Sequence, residues 1–103
     1  MGKSYAHPLV VLIVRPNEQA RVRVGVAAGR SLGGAVARNK AKRHLREAMR
    51  SFLPQANPGW DIVLIARHSM REASYQDISN ALELLLNRSK ILSEDVTSAT
   101  DSR

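Results

Sequence analysis

Seven of the chain's 16 basic residues fall in one short window: Arg30, Arg38, Lys40, Lys42, Arg43, Arg46 and Arg50. Only Glu47 opposes them there. Repeated guanidinium groups suit phosphate oxygens, because each planar fork can donate two hydrogen bonds at once. Asn39 adds an amide able to bond a phosphate, a ribose hydroxyl or a base edge. Gly33 and Gly34 just ahead of the run let a backbone come close, and a helix N-terminus placed there favours phosphate. The chemistry on offer is recognition of a polyanion rather than the making or breaking of bonds.

Spacing places these residues on a helix from about Ala35 to Phe52. At about 100° per residue, Ala37, Ala41, Leu45, Ala48, Met49 and Phe52 share one sector. Asn39, Lys42, Arg43, Arg46 and Arg50 fill an adjacent one, with Arg38 near the boundary. The helix can therefore bury one face while presenting a basic stripe outward. The like charges at i,i+4 (Arg38/Lys42, Lys42/Arg46, Arg46/Arg50) repel by about a few tenths of a kcal/mol each, a cost that an anionic partner offsets. A nucleic acid fits that role, and the stripe alone does not separate RNA from DNA.

Nothing comparable marks a catalytic centre. His7, His44 and His68 are far apart in sequence and read as surface or packing residues, and no paired carboxylates or HExxH-like spacing occur. Asp61, beside Trp60, reads as a turn or cap residue. The absence of cysteine excludes disulfides, thiolate catalysis and Cys-based metal sites. The formal net charge is +7 and the sequence pI about 10.8, as nucleic-acid partners require. No apolar run approaches the roughly 18–20 residues that span a bilayer; the longest candidate, Leu9–Val14, is strand-sized. The start MGKSYAHP lacks a signal-peptide core and a myristoylation pattern. The expectation is a soluble, unanchored protein of the cytoplasm.

The elements that must position the stripe follow from periodicity. Pro8–Val14 is continuously apolar and β-branched, the pattern of a strand covered on both faces. Arg15–Gln19 supplies turn residues, and Arg21–Ala28 alternates polar with apolar, so the two strands form a plausible hairpin. After the helix, Pro54, Asn57, Pro58 and Gly59 make a loop, and Trp60–Ala66 is another buried strand. Ser74, with Asp77 three residues on, caps a last helix whose Ile78, Leu82, Leu85 and Leu86 recur at helical spacing. The predicted fold is α+β, a two-layer sandwich in the order β-β-α-β-α. Its single domain covers residues 1–92, and a polar, disordered tail covers 93–103.

Val24-Gly25-Val26, then Gly33-Gly34-Ala35-Val36-Ala37-Arg38-Asn39-Lys40-Ala41-Lys42-Arg43-His44-Leu45-Arg46-Glu47, resembles the signature of the bacterial ribonuclease P protein family. Asp61–Arg67 and Ala73-Ser74-Tyr75 resemble the family's later strand and the start of its final helix, so the likeness runs from roughly Lys3 to Leu92. Three positions depart from the pattern: Gly34 stands for the usual asparagine, Lys40 for the middle arginine of an Arg-Asn-Arg trio, and Ser31 for a commonly basic residue. Lysine keeps the charge but loses the bidentate fork. Family members also carry a basic segment and helix ahead of the position of Gly2. The sequence as it stands lacks them, through a misplaced start codon, a truncation, or a member that does without.

The resemblance implies a protein subunit that assists a catalytic RNA in endonucleolytic removal of the 5′ leader from precursor tRNA. Magnesium would be held by that RNA and not by this chain. It implies contacts to the RNA subunit from Arg38, Asn39, Lys40, Lys42, Arg43 and Arg46, with Gly33 and Gly34 shaping the approach and Arg30 and Arg50 as flanking phosphate contacts. It implies a small mixed sheet, a left-handed strand–helix–strand crossover against the usual hand, and a sheet face for the leader. Val10, Leu12, Val14, Arg21, Arg23 and Arg67 are the candidates there. Neither DNA nor a membrane is an expected partner. The alternatives are a ribosomal-protein-like RNA-binding module with no part in tRNA processing, a DNA-binding protein using the helix in a major groove, and a truncated product left with an exposed apolar sheet face.

Overall fold

Trp60–Ala66 forms a strand paired along both of its edges, and the other strands are arranged around it. A computed structural model of the chain describes residues 2–92; the tail expected over 93–103 lies outside the described residues. The strands are β1 (Lys3–Ala6), β2 (Val10–Pro16), β3 (Val22–Ala28) and β4 (Trp60–Ala66), and the helices are α1 (Ala35–Arg50) and α2 (Tyr75–Ser89). The sheet order is β1-β2-β4-β3. β2 runs antiparallel to β4 with Leu12 opposite Leu64, and β3 runs parallel to it with Val26 beside Leu64. The result is an α+β fold with a mixed four-stranded sheet, in the expected order extended by one N-terminal strand. β3–α1–β4 is its parallel strand–helix–strand unit.

Two expectations about the strands are corrected. β2 and β3 do not form a hairpin, because β4 lies between them. The connection at 17–21 instead arches over the start of β4, where the Asn17 N–H donates to the Gly59 carbonyl (2.8 Å) and the Gly59 N–H to that of Arg21 (3.0 Å). Two strand spacings, about 10 Å, are well within the reach of five residues. Gly59 takes φ +89 there, a conformation that favours glycine.

Nor are β2 and β4 covered on both faces. Val10, Leu12, Val14, Ile62, Leu64 and Ala66 are buried beneath the helices, whereas Val11, Ile13 and Ile65 are half-buried and Val63 is 36% exposed. A continuous apolar run hides this alternation, since its residues do not differ in polarity from one face to the other. β1 was not anticipated. It is four residues long and mostly polar, and Tyr5 is its one side chain packed against the core.

The helices follow the sequence closely. The Asp77 N–H donates to Ser74 Oγ (3.0 Å) and the Ser74 N–H to Asp77 Oδ2 (3.1 Å), closing the capping box of α2. Ile78, Leu82, Leu85 and Leu86 are fully buried. α1 ends at Arg50, two residues before the expected Phe52, which lies half-buried just beyond it. The link from Arg67 to Ala73 holds a 3-10 turn that buries Met70.

The two faces of β4 predict different mutational costs. Leu64→Ala is expected to lower stability to urea by about 2–5 kcal/mol. Val63→Ala, one residue away on the open face, is expected to cost a small fraction of that.

Candidate RNA interface

Packing fixes how α1 is rotated about its axis. Ala41, Leu45, Ala48 and Met49 are buried against the sheet and α2. Helical periodicity then sends Asn39, Arg43, Arg46 and Arg50 to the far side, where all four are exposed. Arg38 and Lys42 lie half-buried on one flank. Lys40 departs from them: it sits on the other flank, at the rim of a cleft shared with His44 and Arg71. The predicted basic residues therefore form an outward stripe with two distinct shoulders. Among the described residues the one ion pair is Arg23–Asp61, so no carboxylate there is paired with the stripe.

The two glycines ahead of α1 differ in backbone and surroundings. Gly33 closes the 3-10 turn Arg30–Leu32 with φ +117, and a Cβ on it would come 3.3 Å from that of Ala37. Gly34 is extended, with open space around it. As the N-cap it offers no side chain to the first turn, leaving amide donors that an asparagine could have satisfied. Arg30 is exposed beside this turn, and Arg50 stands in the last turn, where a cation complements the helix dipole. Val36, in the first turn, was not singled out. It is 83% exposed, and its separation of seven residues from Arg43 puts it on the stripe side of the helix. An apolar residue on the polar side of the wheel was the available signal.

The open face of the sheet carries a second polar group. The Arg23 guanidinium donates two bonds to Asp61, Nε to Oδ1 (2.8 Å) and Nη2 to Oδ2 (2.9 Å), and Asn17 Nδ2 donates to Oδ1 (2.8 Å). Asp61 is thus the partner of Arg23 across the β3–β4 pair, not a turn or cap residue. Hydrogen bonds from Arg23 first, then from Asn17, hold its carboxyl at about 2, below the ordinary 3.8. Of the sheet residues expected to meet a leader, Val10, Leu12 and Val14 are buried beneath the helices, while Arg21, Arg23 and Arg67 are exposed.

Arg67 Nη1 donates to the His7 carbonyl (3.3 Å), and Arg67, His7 and His68 line one open cleft of about 730 Å³ together with Ser31. His7 and His68, distant in sequence, are thereby brought to one place, while His44 lies elsewhere. His7 Nδ1 accepts from the Leu9 N–H (3.0 Å), and His68 Nδ1 lies 2.8 Å from the Ser31 carbonyl. Among the described residues no three His, Asp or Glu side chains gather to hold a metal ion.

A helix locked by one face onto a mixed sheet, with exposed arginines on the other, defines a small α+β nucleic-acid-binding protein. The sequence model of the family described as Ribonuclease P matches residues 1–90. The chain is 42% identical over 90 residues to the ribonuclease P protein component of Herpetosiphon aurantiacus, covering 87% of this chain and 73% of that one. It is 35% identical to that of Clostridioides difficile, covering 87% and 80%. The structure superimposes on the Staphylococcus aureus RNase P protein with a TM-score of 0.80 at 32% identity, covering 89% of this chain and 84% of that one. For the Thermotoga maritima RNase P protein in complex with 1-(4-fluorophenyl)-2-thiourea the TM-score is 0.76 at 33% identity, covering 84% and 85%. The chain belongs to the ribonuclease P protein family. Its role is that of the accessory protein subunit of that enzyme, and the ribosomal-protein-like alternative is set aside.

The depressed Asp61 carboxyl makes a prediction about acid. Its contribution to stability is present in full above the ordinary value of 3.8 and is lost as pH falls through about 2. Asp61→Asn is expected to flatten that part of the pH dependence of thermal unfolding, followed by circular dichroism.

Proposed function

We propose that α1 grips the RNA subunit of ribonuclease P through its basic stripe while the open sheet face receives the 5′ leader of precursor tRNA. The observation that carries this reading is the exposure of Asn39, Arg43, Arg46 and Arg50 on one side of a helix whose other side is buried. Phosphates running along that side meet guanidinium forks at successive turns, with Arg38 and Lys42 reaching from one flank and Lys40 from the other. Arg30, Gly33 and Gly34 meet the same strand where the helix begins. On the sheet, Arg23 and Arg67 supply the phosphate contacts for a leader lying across Val11, Ile13, Val63 and Ile65, whose apolar surface suits base and ribose faces.

In this reading the protein contributes affinity and orientation, and the RNA subunit carries the hydrolysis and its magnesium. The site of action is the cytoplasm, where precursor tRNA is made, with neither DNA nor a membrane as partner. Among the described residues no helix is long and apolar enough to cross a membrane.

Cleavage of a precursor tRNA by a bacterial ribonuclease P RNA at low magnesium, with and without the protein, tests the proposal. Stimulation is expected, and it should disappear when Arg38, Lys42, Arg43 and Arg46 are changed together to Ala in a chain that keeps its circular dichroism spectrum. Binding without stimulation would retain the RNA-subunit contact and remove the leader site. Neither binding nor stimulation by folded protein would sink both. Arg46→Ala alone should weaken binding to the RNA subunit and reduce the slope of log affinity against log salt by about 1.

A further inference from the structure

The flank of α1 opposite Arg38 and Lys42 is not simply more of the stripe. There the helix and the 3-10 turn His68–Glu72 enclose a cleft of about 230 Å³, lined by Leu32, Ala37, Lys40, Ala41, His44, Met70, Arg71 and Ala73. Its floor is apolar: Leu32, Ala41 and Met70 are each at most 5% exposed. Its cations, Lys40 and Arg71, come from its two walls, and no carboxylate lines it. Three of the lining residues are alanines, so the space persists because short side chains leave it open.

An apolar slot with a cationic rim is complementary to a flat aromatic group joined to a phosphate. We infer that this cleft receives one unpaired nucleobase of the RNA subunit, stacked over Met70 and the His44 ring, with its flanking phosphates on Lys40 and Arg71. Single-stranded or bulged nucleotides present such splayed bases, and proteins hold them by stacking and by cationic contacts to the backbone. A thioether packs favourably against an aromatic ring. Continuity with the stripe supports the same occupant. Lys40 and the stripe's Arg43 are three residues apart and so neighbours on the helix surface, which brings a strand held along the stripe past the mouth of the cleft. An acidic peptide would use Lys40 and Arg71 but would leave the apolar floor unexplained.

The inference rests on α1 being the grip on the RNA subunit, and its test separates the two. The chain has no cysteine, so Ala37→Cys, Ala73→Cys and Arg46→Cys each provide a unique thiol for a photoreactive label on the whole chain. With a bacterial ribonuclease P RNA, labels at 37 and 73 are expected to crosslink to one and the same unpaired nucleotide. Ala37→Leu, which fills the cleft with a good helix former, should bind roughly tenfold more weakly, the size expected for one stacked base. Its salt dependence should change little, because Lys40 and Arg71 stay at the rim and can still meet the phosphates. Labels at 37 and 73 that stay silent or reach only paired nucleotides, while the label at 46 still crosslinks, overturn the cleft assignment alone. So does an Ala37→Leu chain that binds like the parent. Silence from all three labels, with no binding, overturns the grip and the cleft together.

Discussion

The packing of Ala41, Leu45, Ala48 and Met49 against the sheet and α2 determines which way every other side chain of α1 points. A helix has one free angle about its axis, and four residues buried in the core remove it. Two of the four are alanines, which let the helix backbone lie close to the layer beneath. Electrostatics among the cations could not have selected this arrangement, since like charges on one side of a helix repel. Burial of apolar surface is the larger effect, with each well-buried large side chain worth about 1.5–3 kcal/mol. The core therefore imposes a charge distribution that the isolated protein would not choose.

The same logic of one committed face governs the sheet. Alternation along β2 and β4 gives one side to the helices and leaves the other half-open, and the single ion pair of the described residues lies on that open side. The Arg23–Asp61 pair joins neighbouring parallel strands, and Asn17 ties the arching connection to the same carboxylate. Side-chain exposure is 49% for Arg23 and 20% for Asp61, so solvent screens the attraction and its structural effect is mainly orientation. Asp61 engages Arg23 through Nε and Nη2, which leaves Nη1 available.

Much of this was legible in the residues. The stripe, the apolar stripe of α2 and its cap at Ser74 are local periodicities, and local periodicity survives into the fold. The pairing of strands is not local. Only five residues separate β2 from β3, which made a hairpin the natural reading, yet the sequence of β4 carries no mark showing that it inserts between them. The open face of β2 was hidden because Val11 and Ile13 are as apolar as the buried Val10 and Leu12. Lys40 stood in the motif with Arg38 and Lys42, and only the rotation of the helix shows that it belongs to the opposite flank. Asp61 needed its partner: it lies 38 positions from Arg23, and no spacing rule connects them.

The position of β4 also has a temporal side. Synthesis proceeds from the N-terminus, so β2, β3 and all of α1 leave the ribosome before the strand that lies between β2 and β3 has emerged. Until Trp60–Ala66 emerges, β2 and β3 lack the strand that pairs with both, and α1 has no completed layer on which to settle its buried face. Pairings of this kind wait on long-range closure. The cationic helix is therefore exposed to the cell's polyanions before its orientation has been set. A nascent chain bound to RNA at that stage would carry its ligand into the final folding step rather than meet it afterwards.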